Sequence, residues 1–366
     1  MIPKRPVRSG IVGTGFIGEV HTRAVRAAGG VVAGVAAATP ELAQQGALSV
    51  GAPWAAESAA ALIESDDIDV IHVCTPNVHH LEIAELALKM GKPVICEKPL
   101  ALSGDDAQHL ADLAAANDVA TGVPFVYRYY PTVREARSRI AAGDAGALRV
   151  LHGSYLQDWL STSADGNWRI DPSIGGPSRA FADIGVHWCD LMEFTTGHRI
   201  VRLSARLVTA FAQRGVHEVF DVTTEDAATV IFETDRGAIG SLVVSQVSPG
   251  RKNRLWFEFD GADASYGFDQ ELPDSLWIGG RVSNQTLMRS PETMSTAAAS
   301  YCVLPAGHPQ GYQDCFNAFV SDVYRTIRDG RAVDGLPTFE DGSRAARLTD
   351  AVLKSAATNR WVEITR

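Results

Sequence analysis

Three polar side chains in one short segment have the types and spacing needed to move a proton. Asp183, His187 and Asp190 are separated by four and three residues, which places them on one face if helical geometry has begun by Asp183. An imidazole beside a carboxylate is an oriented proton acceptor that works near neutral pH. A helix-capping aspartate next to a packed histidine would give the same pattern, so both interpretations stay open.

A lysine follows a short apolar run in the segment Glu97-Lys98-Pro99. The proline disfavours helical backbone angles at Lys98, and an extended backbone would direct its ammonium group over the edge of a sheet. Lys98 could be a charged group of a functional site or a solvated lysine in a loop, and the segment fits both interpretations equally well.

A glycine-rich turn separates the first apolar run from the first helical pattern. Gly13, Gly15 and Gly18 form a Gly-x-Gly-x-x-Gly motif that encloses Phe16 and Ile17. The first glycine permits a tight turn, the second lets the backbone approach a pyrophosphate, and the third allows close helix packing. Because the helix N-terminus then faces an anion, these residues predict a dinucleotide site.

The second predicted strand lacks the acidic residue that usually binds the ribose hydroxyls about 20 residues after the glycines. Ala37 occupies that region, and no Lys or Arg lies between Val35 and Ala52 to bind a 2′-phosphate. The sequence therefore predicts NAD or NADP as cofactor, with a preference for NAD.

Thr75, Pro76 and Asn77 follow another apolar run, at the carboxyl end of a predicted parallel strand where doubly wound sheets bind ligands. Asn77 could contact the cofactor or only cap the following helix. The adjacent His79 and His80 are, taken alone, expected on the helix surface, but the position of His80 places it among the predicted cofactor contacts.

These residues need a framework, and the chain up to residue 127 supplies an alternation of apolar runs and helical patterns that is typical of βαβ units. Ser103, with Asp106 three residues later, predicts a capping box that opens a helix ending near Asn117. A second helix is expected over residues 78–90. Six strands are predicted, at residues 7–12, 31–36, 53–55 (weak), 70–74, 94–96 and 122–127.

Beyond residue 145 the pattern changes to longer alternating strands joined by turns, which predicts an α+β domain with an antiparallel sheet covered by helices on one face. We expect domains at residues 1–127 and 128–366. Strands are predicted at 229–234, 239–245, 254–260, 266–268 and 276–278, helices at 179–196, 312–328 and 342–357, and irregular segments at 171–178 and 281–306.

Composition excludes several classes of protein. The 366 residues carry 33 Lys and Arg against 43 Asp and Glu, a formal charge of −10, with no basic cluster for nucleic acid or an anionic membrane. The five cysteines never occur in a CxxC spacing, which predicts neither a disulfide framework nor a metal site. The same cysteine pattern fits a protein of the reducing cytoplasm best. The basic N-terminus lacks a cleavage pattern, so we expect no signal peptide.

Taken together and in this order, the glycine turn, Thr75-Pro76-Asn77, Glu97-Lys98-Pro99 and Asp183-x-Gly-x-His187 resemble the glucose–fructose oxidoreductase / inositol dehydrogenase / rhizopine catabolism (GFO/IDH/MocA) family. The resemblance covers essentially the whole chain. It implies an N-terminal Rossmann domain with a doubly wound parallel sheet. It further implies a C-terminal α+β domain, with an open and mostly antiparallel sheet, that binds substrate and forms a homodimer or homotetramer.

The resemblance implies a catalytic set of Lys98, Asp183 and His187 acting on a secondary alcohol of a sugar, inositol or related polyol. His187 would be the base, Asp183 its orienting partner, and Lys98 the cation that stabilises a developing alkoxide. Which of Lys98 and His187 takes the proton stays open at this point. Glu97 and Lys98 also join the expected cofactor contacts.

Polar and aromatic side chains bordering the expected cleft between the domains complete the prediction, although each of them could instead serve structure. They are Arg128, Trp168 and Arg169 toward the cofactor, and Tyr127, Gln157, Trp159 and His308 toward the substrate, beside Lys98, Asp183 and His187. Two alternatives remain: an NADPH-dependent carbonyl or imine reductase, and a dinucleotide-binding sensor without activity.

Overall fold

A computed structural model describes residues 5–215 and 219–364, so the first four residues of the basic N-terminus lie outside the described chain. Two compact units are present. The first contains the described residues up to Val126 together with Tyr312–Arg344, and the second contains Tyr127–Gly311 and the chain from Ala345 onward. The sequence predicts the whole stretch 128–366 as one domain, whereas residues 312–344 pack within the first unit.

The first unit is built on a five-stranded parallel sheet with the order β2-β1-β3-β4-β5, as the alternating pattern predicts. The strands are β1 (Arg8–Val12), β2 (Val31–Ala36), β3 (Val70–Val73), β4 (Val94–Cys96) and β5 (Thr121–Gly122). The helices between them are α1 (Phe16–Ala27), α2 (Pro40–Val50), α3 (Ala59–Glu64), α4 (His80–Lys89) and α5 (Gly104–Ala116).

Two strand predictions in this unit are wrong in extent. The weak strand at residues 53–55 is a single parallel bridge between Val35 and Ala55. The last strand stops at Gly122, and residues Val126–Tyr129 form a 3₁₀ helix instead. Pro124 lacks the N–H that a sheet ladder needs, which explains the early end. The predicted capping box is confirmed, since Ser103 Oγ accepts a hydrogen bond from Asp106 N at 3.2 Å.

Helix α10, at Tyr312–Asp329, packs in the first unit rather than on the second sheet, where the sequence predicts it. Its Phe319 and Val323 side chains lie against Gly122, where an added Cβ would approach both to 2.9 Å. Tyr324 Oη lies 2.5 Å from Ser9 Oγ on β1. The apolar stripe of this helix identifies a buried face but not the sheet that buries it.

The second unit holds a nine-stranded sheet with the order β15-β14-β13-β12-β6-β11-β10-β7-β16, in which only the pair of β6 and β11 is parallel among the described residues. The predicted hairpin of β10 and β11 is confirmed. The strands are β6 (Leu148–Leu156), β7 (Ile200–Val208), β10 (Ala227–Thr234), β11 (Ile239–Ser245), β12 (Arg254–Gly261), β13 (Ala264–Asp269), β14 (Ser275–Gly280), β15 (Gln285–Met288) and β16 (Val362–Glu363), with a separate ribbon of β8 (Gln213–Arg214) and β9 (Phe220–Asp221).

The two faces of this large sheet differ in character. One face is buried and apolar, with Leu151, Phe232 and Phe257 among its residues. The other face exposes apolar side chains such as Ile231 and Val243. A helix-covered face and an open face are what the alternating sequence pattern predicts.

Helices and turns of the second unit support the buried face and the loops above it. They are α6 (Pro131–Ala142), a 3₁₀ turn at Trp168–Ile170, α7 (Pro172–Gly175), a π-helical turn at Phe181–Gly185, α8 (Val186–Thr196), α9 (Thr296–Ala299) and α11 (Phe339–Thr358), whose first residues belong to the first unit. Helices α7 and α9 and strand β15 fall within segments that the sequence predicts as irregular. Among the described residues, no helix is long and apolar enough to cross a bilayer.

Candidate active site

The glycine turn has the geometry that a bound pyrophosphate requires. Gly13 has φ +98°, and a Cβ there would lie 2.5 Å from the carbonyl oxygen of Cys74. A Cβ at Gly18 would lie 2.2 Å from the carbonyl oxygen of Gly13. At Gly15, by contrast, a Cβ would have no neighbour within 4 Å, so the backbone is open to an approaching group.

Helix α1 begins at Phe16 without a side-chain cap, and its first N–H groups therefore point toward this opening. Phe16 is exposed and Ile17 is half-buried beside it. Close packing of the backbone requires glycine at positions 13 and 18, and Gly15 leaves space in front of a helix N-terminus. This arrangement fits a dinucleotide phosphate. The residues present therefore fit the cofactor that the motif predicts.

The four residues directly after β2, at positions 37–40, carry no charged side chain. Ala37 is half-buried just after the strand, and Thr39 uses its hydroxyl to cap α2 by accepting from Leu42 N at 3.3 Å. The ribose end of the predicted site is thus lined by small neutral groups at these positions.

His80 ties together the loops that follow β3 and β4. Its Nδ1 lies 2.7 Å from the carbonyl oxygen of Pro99, and its Nε2 lies 3.0 Å from that of Thr75. The expectation of a surface histidine is wrong, since His80 is fully buried while His79 is exposed. Burial lowers the pKa of His80, although the two carbonyl groups oppose this effect. Asn77 lies in a 3₁₀ turn and does not cap α4.

Glu97 is buried at the end of β4 and receives a chain of hydrogen bonds from the interior. His21 Nε2 lies 3.1 Å from Glu97 Oε1, His21 Nδ1 lies 2.9 Å from His72 Nδ1, and His72 Nε2 lies 3.1 Å from Tyr324 Oη. Burial and the neighbouring His21 lower the pKa of His72, so this ring is neutral. Because the His72 ring is neutral, one of its nitrogens donates a hydrogen bond and the other accepts one in this chain.

Lys98 is half-buried directly after this chain, and its backbone N–H donates to Glu97 Oε2 at 3.2 Å. The peptide bond between Lys98 and Pro99 is cis. The predicted cofactor contact Glu97 therefore has both carboxylate oxygens engaged within the first unit, one with His21 and the other with the backbone of Lys98.

Asp183 lies in the π-helical turn, and its carboxylate does not cap a helix. Its Oδ2 accepts a hydrogen bond from Gln246 Nε2 at 2.7 Å, and its Oδ1 lies 3.4 Å from Arg169 Nε. The Arg169 guanidinium stacks 4.3 Å above the ring of Trp168. The capping alternative for Asp183 is thus set aside in favour of a carboxylate held between two donors.

His187 is surrounded by aromatic side chains of the same unit. Its ring lies edge-on to Tyr127, with centroids 5.0 Å apart, and 6.4 Å from the ring of Tyr155. The hydroxyls of Tyr127 and Tyr155 are hydrogen-bonded to each other. Tyr155 Oη also donates to Asn253 Oδ1 at 2.7 Å. His187 therefore lies beside two hydrogen-bonded tyrosines, one of which is hydrogen-bonded to the Asn253 side-chain amide.

The same amide leads to two further predicted substrate contacts. Gln157 Nε2 donates to Asn253 Oδ1 at 2.8 Å, and Trp159 Nε1 donates to Gln157 Oε1 at 2.8 Å. The structure therefore brings Tyr127, Gln157 and Trp159 into one network.

Asp190, which the spacing predicts on the acid–base face, pairs with Arg128, a predicted cofactor contact. The two side chains form a buried two-pronged ion pair, with Arg128 Nε 2.8 Å from Asp190 Oδ2. His308 is exposed in the loop before α10, and its carbonyl accepts a hydrogen bond from Arg289.

Sequence reasoning missed the residues that hold the predicted ones. Gln246, Tyr155 and Asn253 occur in strands or turns where a polar or aromatic residue carries no motif. The alternation of β6 predicts that Tyr155 is buried, but it gives no reason to expect a partner hydroxyl. These contacts depend on which residues lie side by side in the folded sheet, and the sequence pattern does not specify that.

One group of described residues has the spacing of metal ligands, although the sequence predicts no metal site. His152, Glu258 and Asp260 offer ligand atoms within 4.8 Å of one another and are half-buried on the open face of the large sheet. Acidic groups at such exposure commonly lie together without an ion, and we assign no metal to them.

Comparison with known proteins identifies relatives of both parts of this chain. The model of an oxidoreductase family with an NAD-binding Rossmann fold matches residues 7–125, and that of the GFO/IDH/MocA C-terminal domain matches residues 133–266. Levoglucosan dehydrogenase of Pseudarthrobacter phenanthrenivorans is 31% identical over 395 residues, covering 97% of each chain.

Solved structures give the same picture. Levoglucosan dehydrogenase in complex with NADH and L-sorbose superposes with a TM-score of 0.93 at 29% identity, covering 99% of this chain and 100% of the other. An inositol dehydrogenase homologue from Azotobacter vinelandii, complexed with NAD⁺, has a TM-score of 0.90 at 26% identity, covering 98% and 97%.

Proposed function

Because this chain belongs to the GFO/IDH/MocA family of oxidoreductases, we propose that it transfers a hydride between NAD and a secondary alcohol of a sugar, inositol or related polyol. Its first unit is the NAD-binding Rossmann fold of that family. The observation that carries the proposal is the environment of Asp183, whose carboxylate is held by Gln246 and Arg169 in the unit that also presents His187. Such fixed polar groups suit a hydroxylated ligand.

The proposed mechanism assigns one task to each residue. When bound, NAD supplies the carbon that accepts the hydride. Gly13, Gly15 and Gly18 would hold its phosphates at the start of α1, with Thr75 and Asn77 at the neighbouring strand end. These residues bind and orient, and they move no proton.

The proton chemistry is proposed for three side chains. A ring nitrogen of His187 accepts the proton of the substrate hydroxyl, Asp183 accepts a hydrogen bond that orients the substrate or the imidazole, and the Lys98 ammonium stabilises the oxygen as it becomes an alkoxide. His187 is suited to the role of base because its ring packs against Tyr127, which limits its rotation.

The substrate class is supported by the polar network beside His187. Tyr127, Gln157 and Trp159 present hydroxyl, amide and indole groups within one network, and aromatic faces suit the apolar side of a sugar ring. Since one relative is levoglucosan dehydrogenase and another is an inositol dehydrogenase homologue, levoglucosan and myo-inositol are the first compounds to test.

Oligomeric state and location complete the proposal. A homodimer or homotetramer is supported by apolar side chains on the open face of the large sheet, where Ile231 is 46% and Ile239 58% exposed. A cytoplasmic location is supported by five cysteines that are all free thiols.

The test is a dehydrogenase assay on purified protein with NAD or NADP and a panel of sugars, anhydrosugars and inositols, followed by nicotinamide absorbance. We expect turnover of at least one polyhydroxylated compound. Lys98→Ala and His187→Ala should each lower kcat by about 100-fold or more. Full activity in either variant would contradict its assigned role, and wild-type protein inactive on the whole panel would contradict the function.

A further inference from the structure

Gln246 is a fully buried polar residue just beyond the end of β11, and the proposed mechanism gives it no task. Its backbone N–H donates to the carbonyl oxygen of Asp226 at 2.9 Å, and its own carbonyl accepts from Leu160 N at 3.2 Å. Both hydrogen bonds fix the main chain at this position. The Gln246 side chain therefore extends from a fixed backbone position, and its hydrogen-bond partners determine the orientation of its amide.

The orientation of the amide follows from donor and acceptor chemistry. Arg179 Nη1 lies 3.2 Å from one terminal atom of Gln246, and a guanidinium can only donate, so that atom is the oxygen Oε1. The other terminal atom is then the nitrogen, and it lies 2.7 Å from Asp183 Oδ2. The amide thus has one chemically allowed orientation, in which it donates to the Asp183 carboxylate.

Arg179 is itself fixed by a cluster of buried charges. Its Nε donates to Thr224 Oγ1 at 3.2 Å and its Nη2 forms an ion pair with Asp226. A second arginine, Arg214, lies 2.6 Å from the same Asp226 oxygen. The side chains of both arginines and of Asp226 have no exposed surface, so rotating any of them would leave a buried charge without its partner.

Gln246 and Arg169, which both contact Asp183, consequently differ in how rigidly they are held. Gln246 is buried and backed by the arginine cluster, whereas the Arg169 side chain is 33% exposed and its Nε lies 3.4 Å from Asp183 Oδ1. The short hydrogen bond from Gln246 to Oδ2 therefore sets the plane and direction of the carboxylate. Arg169 contributes a longer and more solvent-exposed contact to Oδ1.

We propose that Gln246 is a positioning residue for Asp183. The buried Arg179–Asp226–Arg214 cluster holds the Gln246 amide in place, and the amide in turn holds the Asp183 carboxylate. In this orientation the oxygen Oδ1 of Asp183 is directed toward substrate. This inference rests on the proposed function for the role of Asp183. Glutamine is suited to the task because one amide can accept from an arginine and donate to a carboxylate at the same time. A glutamate of the same shape could satisfy only the arginine.

The surroundings of Asp183 determine how a substitution would act. Charged and titratable groups face it or its partners from several elements, and they are Arg169, Arg179, Asp226 and Glu225, with His187 on the following helix. Gln246→Glu would add a carboxylate within hydrogen-bond distance of Asp183 while keeping the contact with Arg179. Two carboxyl groups so close share a proton, so Asp183 would titrate at higher pH.

The test compares Gln246→Glu and Gln246→Leu with wild type by pH–rate profiles and by ¹³C NMR titration of protein labelled at aspartate side-chain carboxyl carbons. Asp183→Asn identifies the Asp183 signal. In Gln246→Glu we expect kcat to fall about 10- to 100-fold near pH 7, and both the acidic limb of the rate profile and the Asp183 titration to move upward by about one pH unit or more. The KM for NAD should stay within about twofold.

Gln246→Leu separates loss of the donor from the added charge. It should lower kcat without the upward shift that the second carboxylate produces in Gln246→Glu. The matched control is Gln108→Glu, because Gln108 Nε2 also donates to an aspartate, Asp112, at 2.6 Å on the exposed face of α5. This control should leave rate and titration unchanged.

The possible outcomes are distinct. A Gln246→Glu protein whose rate profile and Asp183 titration both match wild type overturns the positioning role and leaves the proposed function standing. Conversely, an Asp183 titration that shifts in a protein inactive on every sugar supports the positioning of the carboxylate and contradicts the proposed function. If Gln246→Leu fails to fold, the isosteric glutamate variant still decides the question.

Discussion

At the residue scale, we expect the residue at position 37, an alanine, to influence the choice between the two dinucleotides. It follows β2 where a carboxylate would bind ribose hydroxyls and repel a 2′-phosphate. We expect Ala37→Asp to lower kcat/KM with NADP by about tenfold or more relative to NAD. The check is a pair of steady-state assays with both cofactors. The neutral Ala37→Asn should change the ratio far less, and an unchanged ratio in Ala37→Asp would show that the ribose lies elsewhere.

His72 gives a second prediction at this scale, on pH and stability. Burial and His21 hold the pKa of this histidine well below 6.5 in the folded protein, so its contribution is complete above pH 6.5 and is lost as pH falls below that value. The free energy of unfolding should decline by about 1.4 kcal/mol per pH unit on this account. Urea unfolding at pH 7.5 and 5.5 should show a smaller decline in His72→Gln. The exposed His79→Gln is the control, and equal declines in wild type and His72→Gln would refute the assignment.

At the element scale, the start of β1 is fastened to the loop before β3. Asp69 accepts hydrogen bonds from Arg5 at 2.7 Å and from the backbone of Arg8 at 2.8 Å. Burial opposes ionisation of this carboxyl, but the bonds from both arginines prevail and lower the pKa of Asp69 to about 2. The resulting stability is present above its ordinary pKa of 3.8 and is lost as pH falls toward 2.

Asp69→Asn should therefore destabilise the protein at neutral pH and have little effect near pH 2. Because Arg5 is largely exposed, solvent screening limits the loss at pH 7 to about 1 kcal/mol. Urea unfolding of both proteins across pH 7 to 2 is the measurement. A difference that stays constant over this range would mean that the carboxylate charge is not its source.

The elements also show what the sequence can predict. The glycine turn and the β10–β11 hairpin are predictable because local geometry demands glycine in one and strict alternation in the other. The π-helical turn around Asp183 is not, since the hydrogen-bond shift that creates it leaves no periodic signal. The role of Gln246 cannot be predicted from the sequence for another reason. That role depends on its contacts with Arg179 and Asp183, which form only when β11 pairs in the sheet.

At the scale of the whole molecule, we expect the open face of the large sheet to form the interface between subunits. Val243 on β11 is 43% exposed, and it lies on the same face of the sheet as the exposed Ile231 and Ile239. We expect Val243→Glu to shift the protein toward a smaller species in sedimentation velocity, because burying an unpaired carboxylate at an interface is costly. Leu48→Glu, at an exposed apolar position on α2 of the first unit, should leave the assembly intact. A monomeric wild type, or an unaltered Val243→Glu, would refute this surface as the interface.

Helix α10 has a consequence for how the chain reaches its native state. Ser9 and Tyr324 form a hydrogen bond across 315 positions of sequence, and Phe319 and Val323 cover Gly122 from the same helix. During synthesis the first unit emerges from the ribosome early, yet its β-sheet stays without this cover until the last tenth of the chain has been translated. Closing so long a loop slows folding and lengthens the time for which apolar surface is exposed. We therefore expect the apolar surface of the first unit to stay exposed in the nascent chain until residues 312–329 have been translated.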